Sequence, residues 1–266
     1  MTPAIPVSVV DFVNAWPVTW GFLEGAVEGF LPITDVPSAC ADRLARGEVR
    51  AGIIPAIEAA RIPGVRVVRG VGIAARSRVR SVLLVSRVPF GKIRRVALDT
   101  SSRSSAATVK VLLADLFGLE PEYHAAVPDL PRMLATADAA LVIGDPALTL
   151  DATGLEVLDL AEGWRRLTGL PLVTAVWAVR DGLGPEPFLR SREHGRRRAG
   201  EILEAARART GLDRKTLAEY FAVDLHHDLD AADERALAEL YRRAAAHGLV
   251  PSPALPPFAA AEEGEA

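Results

Sequence analysis

The chain has 266 residues and a mass of 28.4 kDa, room for one large domain or two of ordinary size. Half of it (50%) is hydrophobic and 24% is charged, which excludes wholesale disorder and fibrous repeats. A net charge of −3 lacks the basic footprint of a nucleic-acid binder and points to small-molecule partners. Although the mean hydropathy is +0.19, no uncharged apolar run nears the ~18 residues of a membrane helix, so no membrane partner is expected. Cys40 is the single cysteine, which excludes an internal disulfide and a Cys-based zinc site. With no basic segment before the first apolar run, the expected compartment is the cytoplasm.

In chain order, short β-branched runs alternate with helical segments. Ile5–Val10, 49–54 and 65–68 read as strands, and Pro37–Arg46 has helical periodicity with Ala41, Leu44 and Ala45 on one face. Strands separated by helices predict a largely parallel sheet, whose strands are buried on both faces. A second unit follows the apolar run 81–86: a strand at 95–98, a helix at 104–117 and a strand at Ala139–Ile143. The long run 170–179 is of a kind that crosses between lobes. Beyond Gly182 the pattern is helical only, with segments at 188–209, 214–221 and 231–247.

This order predicts a two-lobed α/β clamshell with a ligand cleft. Lobe 1 is expected over 1–84 plus 180–250, lobe 2 is inserted at 85–179, and the Pro- and Ala-rich stretch 251–266 forms a flexible tail. The charged faces of the terminal helices suit either bracing of lobe 1 or a homodimer contact.

Ligands of open parallel sheets lie beyond the carboxyl ends of the strands, so the loops there hold the candidate residues. Asp11-Phe12-Val13-Asn14-Ala15-Trp16-Pro17 follows the first strand and offers Asn14 either as a neutral ligand donor and acceptor or as a helix cap. Asp99-Thr100-Ser101-Ser102-Arg103-Ser104-Ser105 runs straight into a helix. Free backbone N–H groups there, reinforced by hydroxyls and a guanidinium, suit a carboxylate or phosphate beyond what a simple cap requires. Pro37-Ser38 forms a weaker helix start of the same kind. Asp145, in Gly144-Asp145-Pro146-Ala147, either binds a ligand hydroxyl or caps the next turn.

Other motifs carry less. Gly70-Val71-Gly72-Ile73-Ala74-Ala75 fits a relaxed dinucleotide fingerprint, but no helix follows to receive a pyrophosphate. His226-His227-Asp228 lacks a third metal ligand at useful spacing and reads as a loop. Arg190 to Arg198 form a solvated helix face, Cys40 a small core residue, and His124 a structural histidine. No P-loop, Ser-His-Asp set or paired-carboxylate motif is present, and neither a cofactor nor a metal is expected.

At these loops the chain resembles the menaquinone-biosynthesis family of the futalosine route. The resemblance runs through the Asp11 to Pro17 block, Ser81-Val82-Leu83-Leu84-Val85-Ser86-Arg87-Val88-Pro89, Val96 to Ser105, Ala139 to Leu148, and Trp164 to Pro171 with Ala175-Val176-Trp177-Ala178. These blocks keep their order and cover most of residues 5–180. The resemblance implies a type II periplasmic-binding-protein fold used as a cytoplasmic enzyme. It further implies a lyase that removes water from chorismate, a dicarboxylate, to give 3-[(1-carboxyvinyl)oxy]benzoate. By matching positions, Asn14 would be catalytic and contact the reacting ring, and Ser81 would bind from a crossing strand. Ser101, Ser102, Arg103 and Ser104 would hold a carboxylate, with Ser38 and Asp145 as further substrate contacts. Two alternatives share the fold: a later enzyme of the same route, whose catalytic histidine has no counterpart near Gly144-Asp145-Pro146, and a non-catalytic solute-binding protein for a small carboxylate.

Overall fold

The structure, a computed structural model, describes residues 3–180 and 182–260. The first unit is β1 (Ile5–Val10), α1 (Trp16–Leu23), β2 (Phe30–Asp35), α2 (Pro37–Arg46), β3 (Ala51–Pro55), α3 (Ala56–Ala59) and β4 (Arg66–Ala75). The second is β5 (Val82–Ser86), β6 (Arg95–Asp99), α4 (Arg103–Phe117), β7 (Glu122–Ala126), α5 (Leu130–Thr136), β8 (Ala139–Ile143), α6 (Gly144–Leu148), β9 (Glu156–Asp159) and α7 (Leu160–Thr168). The chain returns through β10 (Leu172–Val179), then α8 (Glu186–Arg197), α9 (Ala199–Thr210), α10 (Arg214–Glu219), β11 (Leu225–His226) and α11 (Ala231–Ala246).

Two sheets divide these strands. The first has the order β11-β4-β10-β3-β1-β2 and the second β7-β6-β8-β5-β9. β1 is parallel to β2 and β3, and β6 is parallel to β7 and β8, as continuous apolar runs joined by helices require. β10 is antiparallel to β3 and β4, and β5 is antiparallel to β8 and β9. In the first sheet β11 is likewise antiparallel to its neighbour β4, so two strands there, and β5 alone in the second, run against the parallel set.

This pairing moves the expected lobe boundaries. β5 belongs to the second sheet, so that lobe begins before 85. β10 belongs to the first, so the long apolar run returns to lobe 1 before 179. Burial on both faces makes the two runs apolar whichever sheet receives them. The tail is also corrected in part. Residues 257–259 pair with the start of β4, through Val67 N to the Pro257 carbonyl and Ala259 N to the Val67 carbonyl, each 2.9 Å, while Arg69 stacks on the Phe258 ring at 4.1 Å. An otherwise open strand edge accounts for this docking. Residues 261–266 lie outside the described residues.

The glycine-rich stretch 70–75 lies inside β4, as strand rather than phosphate loop. The expected helix 188–209 is two helices, broken at Arg198 where φ is −98° and ψ is 15°. α8 packs tightly on α1. A Cβ placed on Gly195 would stand 2.2 Å from the Pro17 carbonyl oxygen, and one on Gly21 2.6 Å from Ser191 Cα, so both positions require glycine. Trp177 of β10, Phe22 and Phe188 form the aromatic centre of this layer, with ring centroids 4.8–5.7 Å apart.

The first crossing segment, 76–81, is held from both sides. Arg80 has φ +54°, the one non-glycine residue in the left-handed region among those described. The buried Asp224 accepts from Arg78 Nε at 2.7 Å and faces Arg80 Nε at 2.6 Å. On the other side, Asp159 accepts from the backbone N–H groups of Val79 and Arg80 and also caps α7 through Ala161 N. Asp224 sits in a π-helical turn, Tyr220–Asp224. Among the described residues no helix is long and apolar enough to cross a membrane.

Candidate active site

The parallel strands of the two lobes aim their carboxyl ends at one another, and the loops there meet. Asn14 occupies a 3-10 turn (Val13–Ala15), and the N-cap of α1 is Ala15, so Asn14 is not a helix cap. Its carbonyl accepts a hydrogen bond from His227 Nε2 at 3.0 Å. The carbonyl requires a donor, so Nε2 carries the proton. Burial holds the His227 imidazole down at about 4, offset by the Asn14 bond, so the ring is neutral near pH 7. Asn14 Oδ1 is buried with no partner among the described residues. An orphaned buried acceptor of this sort is costly unless a ligand or water satisfies it.

Asp145, at the start of α6, reaches across the boundary. Its Oδ1 accepts from Val13 N at 3.0 Å and its Oδ2 from Arg209 Nε at 2.7 Å. Arg209 also donates to Asp11 Oδ1 and to the Asp11 carbonyl, at 2.9 and 2.8 Å. Burial raises the Asp145 pKa, and the Val13 N–H and Arg209 oppose that rise. Gly144 supplies the close approach: its φ is +66° and a Cβ there would lie 2.9 Å from the Phe12 ring.

The serine segment forms the second half of the boundary. Ser102 caps α4 and accepts from Ser105 N, while its own hydroxyl donates to Ser105 Oγ at 2.7 Å. Ser101 donates through its N–H and hydroxyl to Asp99 Oδ1, at 2.8 and 2.5 Å. The Asp99 carboxyl is buried, which raises its pKa, and its Oδ2 has no partner among the described residues. Ser104 Oγ accepts from Ile57 N at 3.0 Å, and Ser38 N donates to the Ser101 carbonyl at 3.0 Å; both bonds cross between lobes. Arg103 crosses as well, to Asp42 at 2.8 and 2.9 Å and to Glu58 at 3.0 Å. In this closed arrangement its charge is balanced by two carboxylates, so Arg103 ties the lobes together. The buried Ser81 receives a hydrogen bond from Tyr220 OH at 2.7 Å, and its carbonyl accepts from Gly144 N at 2.8 Å.

All eight residues singled out by sequence thus stand at the lobe boundary, in two groups: Asn14, Asp145 and Ser81 on one side, and Ser38, Ser101, Ser102, Arg103 and Ser104 on the other. Sequence reasoning missed Arg209, His227, Tyr220, Asp42 and Glu58. Only His227 carried a local signal, and its pairing with His226 directed attention to metals. Among the described residues no group of His, Cys, Asp or Glu is arranged to hold a metal ion. The donors at the boundary are hydroxyls, amide groups and guanidiniums; burial raises the Asp99 and Asp145 carboxyls toward the neutral form, while Asp11, Asp42 and Glu58 are paired with guanidiniums. Such a set has the chemistry to hold an anionic ligand, and among the described residues there each carboxylate is either paired with a guanidinium or pushed toward the neutral form by burial.

Two α/β lobes joined by two crossing segments, with polar loops meeting between them, define a periplasmic-binding-protein fold. Solved structures agree at the level of fold. A protein from Archaeoglobus fulgidus superposes with a TM-score of 0.74 at 19% identity, covering 93% of this chain and 98% of that one. The alkanesulfonate-binding protein of Xanthomonas axonopodis pv. citri, bound to MOPS, gives 0.66 at 18% identity, covering 95% and 96%. Within that fold, the family model described as menaquinone biosynthesis matches residues 5–246, and the chain belongs to that family. A chorismate dehydratase from Thermus thermophilus is 29% identical over 234 residues, 79% of this chain and 85% of that relative.

Proposed function

We propose that the protein is a cytoplasmic chorismate dehydratase, a hydro-lyase converting chorismate to 3-[(1-carboxyvinyl)oxy]benzoate and water. The observation that carries this reading is at the boundary: Asn14 Oδ1 is buried with no partner among the described residues, and α4 opens on a hydroxyl-rich start capped by Ser102. Chorismate brings two carboxylates, which suit N–H groups, hydroxyls and guanidiniums, and it brings its own acid–base group.

In the proposed reaction the enolpyruvyl carboxylate of the substrate removes a ring proton, and the C–H electron pair forms the third double bond of the aromatic ring. The ring C–O bond breaks with its pair going to the hydroxyl, which takes that proton from the carboxyl group and leaves as water. The protein's part is positional. Asn14 holds the reacting ring, its carbonyl fixed by His227, and the α4 segment holds a carboxylate once Arg103 and Ser104 exchange their cross-lobe partners for it. Asp145 keeps Val13 and Arg209 in place. The buried, free Cys40 suits a reducing compartment.

The test is chorismate incubated with the protein and followed by ultraviolet absorbance and by mass for the loss of water. Conversion is expected, with Asn14→Ala reducing kcat at least about a hundredfold, the scale of one transition-state donor. Asp145→Asn, which retains an acceptor for Val13, is expected to keep turnover within about tenfold. A larger loss would identify a protein base and defeat substrate-assisted elimination. Binding of chorismate without conversion would instead favour a solute receptor.

A further inference from the structure

A cavity of about 550 Å³ opens between α8, α9, α10 and the segment 225–228, at none of the eight boundary residues singled out by sequence. Its volume lies within the range of small-molecule sites. Ile202, Leu203, Phe221 and Leu225 give it apolar walls, and Arg192, Arg196 and Arg214 also line it. Arg214 is paired with Glu204. The other two guanidiniums converge on one carboxylate: Arg192 Nη1 and Arg196 Nη2 meet the two oxygens of Asp228 at 2.6 and 2.7 Å. Asp228 is 58% exposed at its side chain, so this bracket exchanges its carboxylate at little cost.

We propose that this cavity is a second ligand site, for an amphipathic carboxylate whose apolar body lies against Leu203, Phe221 and Leu225. The ligand's carboxylate takes the place of Asp228 between Arg192 and Arg196. Two lining residues connect the site to Asn14. His227 holds the Asn14 carbonyl, and Pro17 lies in the first turn of the helix that follows it. α1 is in turn fused to α8 through the Gly195 contact and the Ser191 hydroxyl, which donates to the Val18 carbonyl at 2.9 Å. Occupancy of the cavity and affinity at the Asn14 turn are therefore linked, reciprocally.

The test uses decanoate and decan-1-ol titrated calorimetrically into the full chain. Decanoate is expected to bind saturably at one site per chain, at least about tenfold more tightly than the alcohol, the scale of one charge-assisted contact. Arg196→Gln should lower decanoate affinity about tenfold and leave the alcohol unchanged. Ala218→Trp, placed at an exposed lining position on α10, should abolish binding of both while chorismate turnover without decanoate stays at the wild-type value. Decanoate should change chorismate affinity in the wild type and not in Ala218→Trp. Equal affinity for acid and alcohol, undiminished binding in Ala218→Trp, or no saturable binding would overturn the proposal. The calorimetric arms stand whether or not chorismate is converted.

Discussion

The His227 imidazole offers a measurable link between acidity and the shape of the Asn14 turn. Burial lowers its pKa from the ordinary 6.5 to about 4. As pH falls, the unfolded chain takes up the proton first, so stability is full above about 6.5 and is lost as pH drops through the folded value. Integrated between about pH 7.5 and about pH 4.5, such a shift costs about 2.5 kcal/mol, at 1.36 kcal/mol per unit. His227→Gln is the matched control, because a glutamine amide can still donate toward the Asn14 carbonyl and cannot titrate. Urea unfolding of both proteins at the two pH values isolates the histidine, since every other titrating group is shared. The wild type should lose about 2.5 kcal/mol more than the variant over this interval. Parallel pH profiles would show that the ring is not held neutral and would remove it as the support of Asn14.

Three further outcomes follow from contacts already described. Gly195→Ala places a methyl group against the Pro17 carbonyl and should destabilise by several kcal/mol, on the order of 3 or more, with turnover falling as α1 is displaced; thermal unfolding and kcat measure both. Ser104→Ala leaves Ile57 N–H unsatisfied when the lobes are closed, a cost of about 1–3 kcal/mol, and small-angle scattering should show a more open particle. Arg103→Gln removes one partner from each of two carboxylates and should raise KM for chorismate more than it lowers kcat. An unchanged KM would mean that the guanidinium serves closure alone.

Much of the molecule was legible because the signals were local. Strand-sized apolar runs, helix starts and the loops behind them all follow from periodicity and from the residue types that favour caps and turns. These placed Asn14, the serine segment and Asp145 at strand ends, where the structure has them. The remainder depended on contacts distant in sequence. Nothing near Arg103 signals that Asp42 and Glu58 neutralise it, and nothing near Ile57 signals that Ser104 receives its N–H, because both pairings exist only when two separately coded lobes close. The two crossing strands, 82–86 and 172–179, read as buried strands, but the sheet that each joins, and with it the position of the lobe boundary, is not visible in them, since burial on both faces erases the pattern that would tell one sheet from another. The helix break at Arg198 was likewise hidden, because a single non-helical residue between two amphipathic segments leaves their composition unchanged.

The position of β10 between β3 and β4 also dictates an order of assembly. The strands of the second sheet lie within residues 82–159, one contiguous stretch, so that sheet can form as soon as its own residues have left the ribosome. The first sheet cannot: its middle is empty until residue 179 has been made, and β3 and β4 must wait with their inner edges unpaired. The lobe encoded first is thus the one completed last, and mutations that slow the insertion of β10 should show themselves as aggregation during synthesis before they register as a loss of final stability.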